Sequence, residues 1–267
     1  MNLSIWILLP GIGAIVIATA FIAYARIKKC PWSYIGLGAL AWVIVTIVKF
    51  LVATPITPWV YQLVYVPDDV WASGSMLFYV YVGVLTALTE VLLTWMVLRY
   101  TRLGEVPWTK ALAFGIGFGV IEAFYQGIPS LVANISALMA PESLTSATIS
   151  SLQVLNNPLF GLGPGTDRFF ATLIHVFANT LLFYGVISKQ GRWLWIAFAY
   201  KCAVDTVAAF GMFWGVETLS RLWRLEAVLW ILGFVALWSI RKIQKRYSFF
   251  TMPENTSQST AFVKSLN

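Results

Sequence analysis

Seven hydrophobic stretches fill most of this 267-residue chain, and each has about the 20 apolar residues needed to cross a hydrocarbon core of about 30 Å. Such a chain has few folds open to it, because in lipid every backbone N–H and C=O must be satisfied inside the protein. The stretches lie near 3–25, 32–53, 73–98, 111–133, 166–187, 193–214 and 225–240, the start of the last depending on where Glu226 sits. They predict an all-α polytopic membrane protein, a bundle of about seven transmembrane helices in one domain over residues 1–247. The polar tail at 248–267 reads as disordered. Composition agrees: 59% of the residues are hydrophobic and 11% charged, against about 25% charged in a soluble globule. The mean hydropathy is +0.78.

The net charge of +7 excludes less than it first suggests. In a soluble protein it would point to nucleic acid. Here the bases lie beside the apolar stretches, at Arg26/Lys28/Lys29, Arg99/Arg102/Lys110, Lys189/Arg192 and Arg241/Lys242/Lys245/Arg246. They alternate with connections that hold Asp68, Asp69 and Glu142 and no base. By the positive-inside rule this places the N-terminus outside and the C-terminus in the cytoplasm of a multi-pass cell-membrane protein. Arg221 and Arg224, on the outer side, run against the pattern. The first span lacks a basic n-region and reads as a retained helix rather than a signal peptide. Cys30 and Cys202 form no CxxC pair, which removes the case for a thiolate metal site. The segment 135–165, rich in Ser, Asn, Pro and Gly, reads as a long outer loop able to cap a cavity.

Ionisable side chains near the middle of a span cost roughly 2.5–3.5 kcal/mol each on insertion scales, and so are usually paired and functional. This chain has five: Glu90, Glu122, His175, Lys201 and Asp205. In the fourth span Ala111, Gly115, Gly119 and Ala123 recur every four residues, a small-residue stripe that lets another helix approach closely. Glu122 stands at the edge of that face. In the fifth span Arg168, His175 and Asn179 are seven and four residues apart and share a face. A lone histidine on an apolar helix reads first as a hydrogen-bonded core residue; inside a membrane it is also a metal ligand or proton carrier. Lys201 and Asp205, four apart, read as a buried ion pair, or as part of a cluster that Lys201 extends to Glu122 or Glu90. Glu122, His175 and Asp205 each lie about 12–15 Å below the outer end of their span at 1.5 Å per residue, with Glu90 nearer the cytoplasm. Lys49 is expected to snorkel to the outer interface.

The run Gly115-x-Gly-x-Gly119-x-x-Glu122-Ala, with Glu90 before it, Arg168-x6-His175 after it and Asp205 in the sixth span, resembles the YhfC-type membrane proteins. These are classed as intramembrane metalloproteases distantly similar to the CAAX-processing and bacteriocin-processing group. The resemblance covers the third to sixth spans. It implies a Glu-Glu-x-x-Arg element, of which Glu90 matches one carboxylate, its partner position being Thr89 or Val91. It implies also a final His-x-x-x-Asp, here Lys201-x-x-x-Asp205. With one histidine in the chain a two-histidine site cannot be built, and Lys201 brings positive charge to where a cation would sit.

Three functions compete. A catalytically degenerate relative would keep the cluster (Arg168, Asn179, Lys201, Asp205) for structure or binding, without a cofactor, as a scaffold or partner in a membrane complex. An active metal-dependent hydrolase would use Glu90 or Glu122 as general base, with zinc held by His175, Glu122 and Asp205, on a membrane-embedded peptide substrate. A proton-coupled transporter would use the same charges as a relay, although no inverted repeat supports it. A receptor-like seven-span protein has only its span number in favour. Partners are the lipid bilayer and other membrane proteins, not nucleic acid.

Overall fold

The computed structural model describes residues 3–67 and 69–251. Asp68 and most of the predicted tail, 252–267, lie outside the described residues. Among the described residues there are helices and no strands, and seven helical segments are long and apolar enough to cross a membrane. A short turn at Ile5–Leu8 leads into α1, Leu9–Ile27, and α2 is Trp32–Val64. The third span is composite: α3, Ser73–Ala87, a π-helical turn at Leu88–Leu92, and α4, Leu93–Tyr100. α5 is Trp108–Met139, and a small surface helix α6, Ser146–Gln153, separates it from α7, Pro158–Ile187. α8, Arg192–Trp214, and α9, Leu219–Thr251, complete the bundle.

Two helices form the centre. Every residue of α7 from Thr172 to Val186 is buried, because α1, α5, α8 and α9 all pack against it. α5 lies between α1, α2 and α7, and its alternate glycines serve different neighbours. A Cβ on Gly115 or Gly119 would come within 2.9 Å of Val176 or Thr172 of α7. A Cβ on Gly117 would run into the Ile35 carbonyl of α2, and one on Gly38 would run into the Phe114 carbonyl of α5. The small-residue stripe is thus a backbone-to-backbone contact with α7, and Gly117 with Gly38 makes a second such contact on the opposite side.

Several spans are longer than their apolar cores. α2 continues through Pro55 and Pro58, and α5 through Pro129, since a membrane helix re-satisfies the freed carbonyls locally. The expected outer loop is largely helical. α5 persists to Met139, Thr145 caps α6 and Asn157 caps α7, and Gly161-Leu-Gly-Pro-Gly165 lies inside α7. This segment packs on the start of α1: Asn156 accepts from the Ser4 N–H at 2.7 Å, and Asn134 donates to the Ile7 carbonyl at 2.7 Å. α9 starts well before the predicted boundary, so Glu226 is buried at 4% exposure within it. The helix also continues past residue 247, so residues 248–251 belong to α9 rather than to a tail. Arg221 lies close to the C-terminal end of α8, donating to the Trp214 carbonyl at 3.3 Å, which gives this outer base a local role.

Candidate functional site

The π turn is the local feature that builds the site. It places one extra residue in a single helical turn, rotating the rest of the helix by about 100° relative to a continuous α-helix. Glu90 lies in that turn and is 5% exposed. Thr89 beside it returns its hydroxyl to the Leu85 and Thr86 carbonyls, each at 3.1 Å, which holds the widened turn closed.

Glu90 is bracketed by two ammonium groups. Lys49 of α2 donates to Oε1 at 2.9 Å, and Lys201 of α8 lies 3.1 Å from Oε2. Lys201 also meets both oxygens of Asp205, at 3.2 Å and 3.1 Å. On its other side Glu90 Oε2 stands 3.9 Å from His175 Nδ1, while His175 Nε2 is 2.8 Å from Glu122 Oε2. Glu122 accepts further from the Trp42 indole at 3.0 Å, Arg168 at 3.0 Å and Gln126 at 3.4 Å. Arg168 closes on Asp167 through Nε at 3.0 Å and through a second contact from its Nη2. The result is one chain of charge, Asp205–Lys201–Glu90–His175–Glu122–Arg168–Asp167, drawn from spans three to six, with Lys49 and Trp42 attached from the second.

The structure brings Glu90, Glu122, His175, Lys201, Asp205 and Arg168 together at one polar locus, Glu90 included although the depth count puts it nearer the cytoplasm, and of the two extensions expected for Lys201 the ion pair goes to Glu90. Lys49 does not snorkel. It turns inward because Glu90 offers a buried carboxylate that its flexible stem can reach. Asn179 shares the α7 face, yet it donates to the His175 carbonyl at 2.9 Å on its own helix and packs beside Gly115. Trp42 and Gln126 escaped the sequence reading, and Glu226 entered it only as the mark of a span boundary. A weak signal existed for the first: Trp42 and Lys49 are seven residues apart and so share a face of α2. Glu226 accepts from the Thr166 hydroxyl at 3.2 Å, one residue from Asp167.

Beside the chain of charge lies a cavity of about 180 Å³, walled by Glu90, Glu122, Lys201, Asp205, Lys49 and Thr46. Exposed Phe50 and Tyr125 belong to its lining as well, so it reaches the surface. No residue of 135–165 lines it, and that segment therefore does not cap it.

A family model described as YhfC intramembrane metalloprotease matches residues 13–229. The chain belongs to the YhfC family. Searches of curated proteins and of solved structures each return no match.

The YhfC description implies a metal, and the donor set can be tested against it. Among the described residues no three His, Cys, Asp or Glu side chains are grouped so as to hold one ion. The geometry gives the reason. The imidazole of His175 stands between its two carboxylates, Nε2 toward Glu122 and Nδ1 toward Glu90, so both cannot join a single nitrogen on one metal. Glu122 has four donors, which fills the roughly four acceptor sites of a carboxylate. Asp205 faces Lys201 rather than His175. In this arrangement the expected set of His175, Glu122 and Asp205 does not fit a metal ion.

Proposed function

We propose that this chain is a catalytically degenerate YhfC-family protein of the cell membrane, whose polar cluster holds the bundle together and binds a membrane-embedded partner as a scaffold. The observation that carries this reading is the position of Lys201, 3.1 Å from carboxylate oxygens of both Glu90 and Asp205. Its ammonium supplies, as a fixed part of the chain, the positive charge that a pair of carboxylates would otherwise take from a metal. The cavity at its side offers donors from Lys49 and Lys201 and acceptors from Glu90 and Asp205. Such a lining suits the backbone or a polar side chain of a neighbouring transmembrane segment better than a lipid tail.

A second reading, an active intramembrane hydrolase, draws on the same cavity. Glu90 and Glu122 both line it, where a general base would meet a peptide bond, with Arg168 holding Glu122 in place. Metal content separates the two. In the full chain purified in detergent without chelators, mass spectrometry is expected to find zinc far below one equivalent, unchanged by His175→Ala. Near-stoichiometric zinc that disappears in His175→Ala would overturn the degenerate reading in favour of the hydrolase. Proton-coupled flux in vesicles would instead mark the carrier.

A further inference from the structure

A second cavity, remote from the charge chain, has a different chemistry. α1 and α9 both pack on α7 but diverge from one another, leaving a groove of about 640 Å³ floored by α5 and α7. This volume lies within the range of about 300–1,000 Å³ usual for small-molecule sites. Its deep walls are apolar, with Ile17, Phe21, Leu112, Ile116, Leu173 and Leu237 among them. Its polar lining lies at one end: Lys28 at the end of α1, Trp108 and Thr109 at the start of α5, Arg241 and Gln244 in the last turns of α9. No acid lines the groove. Among the described residues neither Lys28 nor Arg241 makes an ion pair, Lys28 resting only over the Tyr24 ring at 5.6 Å.

The dimensions identify the occupant. From Lys28 to Ile17 is eleven residues of α1, or about 16 Å at 1.5 Å per residue. One leaflet of a hydrocarbon core of about 30 Å has half that thickness, about 15 Å. A groove one leaflet deep, apolar inside, with two unpaired cations and hydrogen-bond donors at its mouth, matches a glycerophospholipid with an anionic headgroup. Basic pockets between transmembrane helices take such headgroups elsewhere. We propose that the α1/α9 groove is a binding site for an anionic phospholipid of the leaflet on which the basic helix ends lie, its phosphate held by Lys28 and Arg241 and an acyl chain lying along α5 and α7. This inference is independent of whether the charge chain is catalytic.

Native mass spectrometry of the full chain in mixed micelles, with phosphatidylglycerol against phosphatidylcholine at equal mole fraction, tests it. The expected preference for phosphatidylglycerol is roughly tenfold or more, as two near-surface cations imply. It should fall to within about twofold in the double variant Lys28→Gln/Arg241→Gln. Lys189→Gln/Arg192→Gln, basic residues at the same end but outside the groove, should keep it. Ala20→Trp, which fills the groove, should block both lipids while helical content by circular dichroism stays unchanged. No preference in the unaltered chain, a preference that survives Lys28→Gln/Arg241→Gln, or one lost equally in the Lys189/Arg192 pair would overturn the site. So would full competition by free glycerol phosphate, which would make it a simple anion site.

Discussion

At the scale of single residues, the cluster is a set of charges that answer one another, so removing one strands the rest. Lys201 is 5% exposed and is shared between two carboxylates. Lys201→Met should therefore leave Glu90 with only the Lys49 ammonium and Asp205 without an ion pair among the described residues. Breaking a buried pair from one side costs about 3–5 kcal/mol, so a marked fall in melting temperature in detergent is expected. Lys201→His, which keeps a hydrogen-bond donor there, should lose distinctly less. An unchanged melting temperature in Lys201→Met would mean that the pairing contributes nothing to stability. These residues were legible in the sequence because charge at mid-span depth is rare enough to stand out. Lys49 and Trp42 were not: a lysine near an expected span end has a cheaper place at the interface, and an indole in an apolar helix looks like any other large hydrophobe. A buried carboxylate decides otherwise for each, Glu90 for Lys49 and Glu122 for Trp42, and the position of Glu90 depends on the π turn. The depth count puts Glu90 nearer the cytoplasm because it ends the fourth and fifth spans too soon on the outer side: α5 runs to Met139 and α7 starts at Pro158, so Glu122 and His175 each lie 17 residues from those ends, as Glu90 does from Ser73.

At the scale of elements, the site exists because α5 comes close to α2 and α7 at once, bringing Glu122 between Trp42 of α2 and His175 of α7. Glycine makes both approaches possible. Gly117→Ala would press a methyl against the Ile35 carbonyl, which is backbone and cannot swing aside. Overpacking of this kind costs about 1–3 kcal/mol, and Gly117→Ala should lower the melting temperature accordingly. Gly36→Ala is the matched control, since a Cβ there meets nothing within 4 Å, and should leave stability unchanged or slightly raised. Equal losses in both variants would show that the α2/α5 approach does not set the effect, since helix propensity alone favours Ala over Gly. The stripe Ala111/Gly115/Gly119/Ala123 could be read from spacing alone. The partner of Gly117 could not, because a second glycine face needs the third dimension. Span ends were the least legible part, since proline and small polar residues mark loops in water but are carried within helices here, as at Pro55, Pro129 and Pro164.

At the scale of the whole molecule, the bundle has one basic end. Arg26, Lys28, Lys29, Arg99, Arg102, Lys110, Lys189, Arg192, Arg241, Lys242, Lys245 and Arg246 lie at the helix ends joined by the α1–α2, α4–α5 and α7–α8 turns and at the end of α9. Among the described residues only Arg221 and Arg224 sit at the opposite end, and Lys49, Arg168 and Lys201 are taken up by the charge chain. The helical topology makes this asymmetry physical rather than only sequential, because the basic turns are adjacent in one bundle. It supports an N-terminus outside and a C-terminus in the cytoplasm. Cysteine labelling decides the matter. Glu105 and Ser150 lie at opposite ends, Glu105 exposed and Ser150 on the surface helix α6. Native Cys30, also at the basic end, is 2% exposed, and burial pushes its thiol pKa up, so little thiolate is present at neutral pH and its background reaction is slow. With Cys202 replaced by Ser, a membrane-impermeant maleimide should label Ser150→Cys in intact cells and Glu105→Cys only after lysis. The reverse pattern would invert the protein, moving the lipid groove to the outer leaflet and leaving twelve basic residues on the side that the positive-inside rule disfavours.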